Sequence, residues 1–475
     1  MKKILPISIA LIFSATTVFS QKNEEKVLED LNAKTQKYGD IAHEIWGLAE
    51  MGYLEEKSSA LLQKTLSDAG FTIEKGIADI PTAFKAEFGS GYPVIAILGE
   101  YDALPGLSQQ AVPEKKSADK AAGHACGHHL FGTASTAAAI AVKDWLTSNN
   151  IQGTIRFYGC PAEEGGSGKV YMVREGVFND VDVALHWHPG AQNAASAGAA
   201  LANKSAKFRF HGVSAHAAGA PERGRSALDG VEAMNAMVNM MREHIPQDAR
   251  IHYVITDGGK APNVVPDFAE VYYYSRHGKR DVVIDIFDRI VKAAEGAALG
   301  TGTTMDYEMI GGTHELLPNL TLQKIMYDNL TKVGGVTYTD EEKAFAEKVS
   351  KTLGAETLDL ATAANIQPYQ EEARAYGSTD VGDVSYTVPT AGLGTATWVP
   401  GTPAHSWQAV AAGGTSIGTK GMMVAAKTLT LTAMDIFKNP ETVKKAKAEL
   451  EERRGADFQY IPLLGNRPPA LDYRK

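Results

Sequence analysis

The chain has 475 residues, 44% hydrophobic and 22% charged, the balance of an ordinary globular protein. Its 47 Lys and Arg stand against 56 Asp and Glu, a net charge of −9, which argues against the basic surface that non-specific nucleic-acid binding requires. The length exceeds what one hydrophobic core usually serves, so two domains are expected.

Met1-Lys2-Lys3 is a short basic start, residues 4–13 are apolar apart from Pro6 and Ser8, and Val18-Phe19-Ser20 precedes Gln21. This reads as a cleaved secretory signal over residues 1–20, too short for a membrane span, and predicts an exported, periplasmic protein. No cysteine near the cleavage point offers a lipid anchor. Of the two cysteines, Cys126 sits among histidines and Cys160 beside Pro161-Ala162-Glu163-Glu164, so a metal-bound Cys126 is favoured over a disulfide.

Residues 24–69 read as helical, with apolar residues recurring at helical spacing until Ala69-Gly70. Residues 71–74 and 83–88 alternate like strands. The continuous apolar run 93–98 then reads as a buried strand, and 154–158 and 181–185 read as two more. The first ends in Gly99-Glu100-Tyr101-Asp102, the second in Cys160-Pro161-Ala162-Glu163-Glu164, the third in His186-Trp187-His188. Between the first two lies Gly123-His124-Ala125-Cys126-Gly127-His128-His129, followed by a helix-compatible run of small residues, as a crossover requires. Ligands of α/β sheets bind outside the carboxyl ends of the strands, so these groups are expected to converge on one sheet edge. On its extended segment His188 is taken as the inward histidine, with His186 assigned to the opposite face.

From residue 204 the texture changes. Strand 205–210, helix 226–244, strands 252–256 and 268–276, helix 281–298 and strand 303–310 make a β-α-β-β-α-β, ferredoxin-like order. The methionine-rich face of the first of these helices reads as core or interface. Helices over 319–332 and 340–353 follow. The segment 354–377 has no clear pattern, and 378–385 reads as a polar loop. A strand within 389–398 leads to Gly401-Thr402-Pro403-Ala404-His405, helix 419–437 closes the core, and 440–455 reads as a solvated charged helix.

The expected sheet edge therefore collects Cys126, His128, Glu163, Glu164, His188 and His405. A single catalytic zinc uses three protein ligands, and this set exceeds that, which points to two metals with a shared ligand and to hydrolysis of amides or phosphoesters. In the Glu163-Glu164 pair, one carboxylate would bind metal and its neighbour would move the proton.

The runs Glu-Tyr-Asp-Ala-Leu-Pro-Gly-Leu-Ser-Gln (100–109), Ser-Thr-Asp-Val-Gly-Asp-Val-Ser (378–385) and Gly-Thr-Pro-Ala-His-Ser-Trp-Gln (401–408) make the chain similar to the dinuclear metalloamidohydrolases. That family includes aminoacylases, hippurate hydrolases and glutamate carboxypeptidases, and the chain most resembles its aminobenzoyl-glutamate hydrolase B-subunit branch. The resemblance spans the mature chain in order. It implies an α/β, zinc-exopeptidase-like catalytic domain, a mixed central sheet flanked by helices, with an inserted ferredoxin-like α+β dimerisation domain. The boundaries become catalytic domain 21–204, inserted domain 205–316 and catalytic domain 317–475. It further implies Cys126, His128, Glu164, His188 and His405 as ligands of two divalent ions, Zn or Mn, with Cys126 where distant relatives have a bridging aspartate. Glu163 matches the general base, Asp102 the carboxylate that orients a ligand histidine, and His216 a partner-subunit residue that steadies the oxyanion. Asn263 and Arg276 match substrate-holding residues. His129 replaces an aspartate common in relatives and is a minor ligand candidate. The implied activity is hydrolysis of N-acyl or N-aroyl amino acids such as p-aminobenzoyl-glutamate, by a homodimer that could also need a related second subunit. A periplasmic metallodipeptidase is the alternative, and a non-catalytic binding homologue a weaker one, since base and ligands are all present.

Overall fold

The computed structural model describes residues 23–196, 198–374 and 377–475. The expected signal segment lies outside the described residues, as do positions 375 and 376 of the unpatterned stretch. The helical stretch expected over 24–69 is broken at 49–55. Helix α1 (Thr35–Leu48) ends on a left-handed Ala49, φ 48°, and α2 (Glu56–Asp68) starts afresh. This break turns Glu55 into the interior.

Strands β1 (Thr72–Lys75), β2 (Phe84–Ser90) and β3 (Val94–Gly99) precede helix α3 (His128–Ser148). Strand β4 (Gly153–Gly159), helix α4 (Gly168–Arg174) and strand β5 (Val183–Gly190) follow. The inserted unit comprises β6 (Ala202–His211), α5 (Ala227–Met241), β7 (Arg250–Asp257), β8 (Phe268–His277), α6 (Arg280–Thr301) and β9 (Thr304–Thr313). The first domain resumes with α7 (Leu320–Val333), α8 (Val381–Ser385), β10 (Thr390–Ala396), α9 (Ser416–Lys438) and α10 (Glu441–Arg454).

The main sheet has the order β1-β2-β4-β3-β5-β10. Strands β4, β3, β5 and β10 are mutually parallel, while β2 runs antiparallel to both its neighbours, β1 and β4. Both sheet faces are covered, which is why β3 reads as an unbroken apolar run. Ile95, Ile97, Phe157 and Leu185 pack with α3 and α9, whereas Ala96, Leu98, Tyr158 and Ala184 pack with α4 and α8. The inserted sheet has the order β7-β8-β6-β9, all antiparallel, with α5 and α6 on one face against Phe208, Phe210 and Tyr273. That is the ferredoxin-like arrangement.

Three expectations are corrected. Strand β5 does not stop at Leu185 but runs on through His186 and His188. Alternate strand residues share a face, so His186 and His188 lie on the same side and Trp187, buried against α3, points the other way. The segment 378–385 is not all polar loop: α8 is buried, with Asp383 accepting from Tyr460 and the His314 N–H and Ser385 accepting the Leu317 N–H. Helix α10 is not wholly solvated either, since Val443, Ala446 and Leu450 pack inward. Of the methionine-rich face, Met234 is core while Met240 is 72% exposed. Within the described part of 354–377 lie two short 3-10 turns, Gly354–Glu356 and Leu360–Ala364, and a two-residue strand, Ala373–Arg374. No helix among the described residues is long and apolar enough to cross a membrane.

Candidate metal centre

The parallel strands deliver their chemistry to one cavity of about 760 Å³, walled by Glu100, Cys126, Glu163, Glu164, His188 and His405 and roofed by the inserted sheet. Glu100 and Asp102 follow β3 directly, and both are buried. The Cys126 turn precedes α3. Gly127 sits at φ 76°, and a Cβ there would lie 2.6 Å from Pro189, so only glycine lets the turn pass between Cys126 and His128. His405 itself is held left-handed, φ 59°, by its N–H donating to the Ala125 carbonyl at 3.0 Å. This strained position ties the 401–406 loop to the cysteine turn.

Hydrogen bonds aim the donor atoms. His128 Nδ1 donates to Asp102 Oδ1 at 2.8 Å, which leaves Nε2 toward the cavity-wall residue Glu100, 3.1 Å from its Oε2. The other Asp102 oxygen accepts the Glu164 N–H at 2.9 Å. His188 Nδ1 donates to the Pro189 carbonyl at 2.7 Å and turns Nε2 to Cys126 Sγ, 3.4 Å away. His405 Nε2 lies 3.2 Å from Glu164 Oε1. Taking one donor atom per residue, three groups lie within 4.8 Å: Cys126, His128 and His188; Cys126, Glu164 and His405; and Glu100, His128 and Glu163.

These residues fit a metal pair on three counts. Two donors on one ion about 2.0–2.3 Å away stand roughly 3–3.6 Å apart, the spacing seen here. The buried atoms His128 Nε2 and Glu164 Oε1 each face a single ionisable group, Glu100 Oε2 at 3.1 Å and His405 Nε2 at 3.2 Å, with no other hydrogen-bond partner among the described residues. Burial and the neighbouring Glu164 push the Cys126 thiol well above its usual range, a penalty that a coordinated cation reverses by taking the thiolate. Burial opposes charge on His128, but Glu100 and Asp102 outweigh it and favour a cation at Nε2. Burial, then Glu100 and Glu164, raise the carboxyl of Glu163 well above its ordinary range.

The other candidates separate clearly. His129 Nε2 faces the Gly413 carbonyl at 3.0 Å, in none of the donor groups, and packs against His124. His186 lines the cavity but joins no donor group, and burial holds its pKa down to about 3. Arg276 lines the cavity roof, with Nε buried and unpartnered among the described residues. His216 and Asn263 are exposed on neighbouring loops of the inserted unit and do not line this chain's cavity. Both cysteines are free thiols.

Sequence reasoning missed a buried triad beneath the site. Lys169 Nζ donates to Glu100 Oε1 at 2.6 Å and to Asp380 Oδ1 at 2.7 Å. Burial opposes the ammonium, but the two carboxylates hold its pKa well above normal. The only signal was a lysine opening the apolar run Val170-Tyr171-Met172-Val173, and a buried lysine is nearly always paired. Glu55 was also missed: it accepts the N–H of Ala162, at φ 56°, at 2.8 Å and so holds the turn that presents Glu163.

With this geometry in view, comparisons with known proteins give the lineage. The chain is 43% identical over 467 residues to the B-subunit of p-aminobenzoyl-glutamate hydrolase from Escherichia coli K12, covering 93% of this chain and 97% of that one. It belongs to the dinuclear metalloamidohydrolases, the M20 family, in the branch of that hydrolase. A peptidase dimerisation domain profile matches residues 202–301 of this M20 chain. A mouse Xaa-Arg dipeptidase is 27% identical over 91% of the chain and 94% of its own length. Among solved structures, an aminobenzoyl-glutamate utilization protein from Klebsiella pneumoniae shares the fold with TM-score 0.60 at 19% identity, covering 86% of this chain and 98% of that one. A dinuclear metal-binding M20 peptidase from Bacillus subtilis gives TM-score 0.59 at 16% identity, over 86% and 99%.

Proposed function

We propose that this M20 chain is an exported, metal-dependent amidohydrolase that cleaves the amide of N-acyl or N-aroyl amino acids, p-aminobenzoyl-glutamate among them. The observation that carries the reading is Cys126 shared between two donor groups in the cavity that also holds Glu163. A metal pair on Cys126, His128, His188, Glu164 and His405 would lower the pKa of a water and polarise the scissile carbonyl. Zinc suits one thiolate, three imidazoles and a carboxylate, with manganese the alternative. Glu163 takes the proton of the attacking water and passes it to the leaving nitrogen. Arg276 holds the substrate carboxylate with its planar fork, and Asn263, exposed beside the His216 loop, would add a contact only from the inserted domain of the other subunit.

The homodimer belongs to this reading, with a related second subunit as a further partner. Its support is the dimerisation-domain match and the exposed apolar residues of the inserted unit, including Val254, Met240 and Leu299. His216 Nδ1 accepts from the backbone N–H groups of Ala218 and Gly219 at 3.2 and 3.0 Å, which leaves the proton on Nε2 as an oxyanion donor for the other subunit. His216→Ala is expected to lower kcat about 10²–10³-fold with metal content unchanged. A variant that loses metal would place His216 among the ligands.

The metal-replete and chelated protein should be assayed against p-aminobenzoyl-glutamate, other N-aroyl amino acids and dipeptides. Hydrolysis of N-aroyl amino acids that disappears on chelation and returns with zinc or manganese is expected. No metal-dependent hydrolysis of any of them would sink the proposal. Turnover of dipeptides alone would favour the dipeptidase reading, which the mouse relative supports.

A further inference from the structure

The last twenty residues do not hang free. Tyr460 Oη donates to the buried Asp383 at 2.7 Å, and Leu463 and Leu464 are buried. Arg467 Nη1 donates to the Ile310 carbonyl on β9 at 2.9 Å, and Arg174 holds the Arg467 carbonyl at 2.7 Å. The tail is thus laced to both domains along its length. It ends at the metal centre: Tyr473 Oη and Arg474 Nη2 both donate to the backbone carbonyl of Glu164, at 3.1 and 2.7 Å.

Arg474 lines the same cavity as Arg276, and among the described residues these are its only arginine or lysine side chains. Both carry a buried Nε with no hydrogen-bond partner among the described residues. The nearby cation Lys169 is already committed to Glu100 and Asp380. A guanidinium has five donors in a rigid fork, and the carbonyl of Glu164 engages only one Nη of Arg474. The Tyr473 ring, 4.7 Å from the guanidinium carbon, supports its orientation.

We propose that the C-terminal tail completes the substrate cavity, and that Arg474 and Arg276 together select conjugates whose amino-acid part bears two carboxylates. This rests on the amidohydrolase reading and narrows its substrate class to N-aroyl dicarboxylic amino acids. Arg276 takes one carboxylate from the roof and Arg474 takes the other from the floor. The second carboxylate is thereby recognised by a residue that no strand or helix of either domain supplies.

The test compares p-aminobenzoyl-glutamate with p-aminobenzoyl-alanine on the metal-replete enzyme. In Arg474→Ala the ratio of kcat/KM for glutamate over alanine conjugate should fall about 10–100-fold, the scale of one charge-assisted hydrogen-bonded contact. Most of that fall should appear in KM. Arg474→Lys should recover part of it, and Arg474→Glu should shift preference toward the lysine conjugate. Equal losses on both conjugates, accompanied by metal loss, would make the tail only a strap on Glu164 and overturn the proposal. An unchanged ratio would overturn it as well. Calorimetric binding of both conjugates to Glu163→Gln, with and without Arg474→Ala, separates this from the parent reading. If wild type hydrolyses neither conjugate, the amidohydrolase reading fails, and an Arg474-dependent preference for binding the glutamate conjugate would still uphold the tail's role.

Discussion

Glu163→Gln is expected to lower kcat about 10²–10⁴-fold while leaving KM within a few-fold and both metals in place. The substitution keeps the shape of the side chain and removes its capacity to accept a proton. Two features of the site make the loss large. Glu163 lines the cavity directly after β4, where the turn is held by Glu55 through the strained Ala162. Its carboxyl is raised by burial, then by Glu100 and Glu164, so among this chain's own charges it takes up a proton more readily than an exposed glutamate does. The competing geometry has Glu163 as a ligand, because it also forms a donor group with Glu100 and His128. Glu100 is, however, already bound by Lys169 at 2.6 Å, and the five other donors supply two groups without it. Metal analysis decides between them: a variant that retains two ions and loses turnover identifies a proton carrier, and one that loses an ion identifies a ligand.

Much of this cavity could be read from sequence because of how a buried parallel sheet is built. Strands covered on both faces must be continuously apolar, so the first polar residues after β3 and β4 mark the active edge. Glu100, Asp102, Glu163 and Glu164 all follow that rule. His186 and His188 broke it because β5 runs on through them, and only the strand's true extent reveals that they share a face. The groups that went unread are those satisfied over long distances. Lys169 and Asp380 are 211 positions apart, and each looks like a surface residue until the other is placed beside it. The segment 378–385 read as a polar loop for the same reason: Asp380 pairs with Lys169, Asp383 with Tyr460, and Ser385 accepts the Leu317 N–H. Arg474 lies 310 positions from Glu164, in a tail whose composition carries no periodic signal. Burying such charges is tolerable only when their partners are pre-arranged, and that arrangement belongs to the tertiary fold. The Lys169 triad also explains why Glu100 is fixed in the cavity wall with its second oxygen 3.1 Å from His128 Nε2.

Cys126→Ala should abolish binding of both metals at once and depress activity by at least about 10³-fold, the scale of losing several kcal/mol of metal-assisted stabilisation. The argument is one of sharing. His128 and His188 form one group with Cys126, and Glu164 and His405 form the other with the same sulfur. Removing it leaves each ion two of these protein donors, below the three that catalytic zinc sites usually keep. Removal of His405, half-exposed at the cavity mouth, touches only the second group, so His405→Ala should lose one ion and retain the other. Cys126→Asp provides the contrast. A carboxylate offers two oxygens and can span two ions as a thiolate does, so this variant should keep both metals and part of the activity. Its metal preference should move toward manganese, since an oxygen donor replaces the only sulfur in the set. Two ions retained in Cys126→Ala, measured on the purified protein after dialysis, would show that the thiol is not shared. A single ion lost would assign Cys126 to one group alone and leave the pair bridged by something other than this side chain.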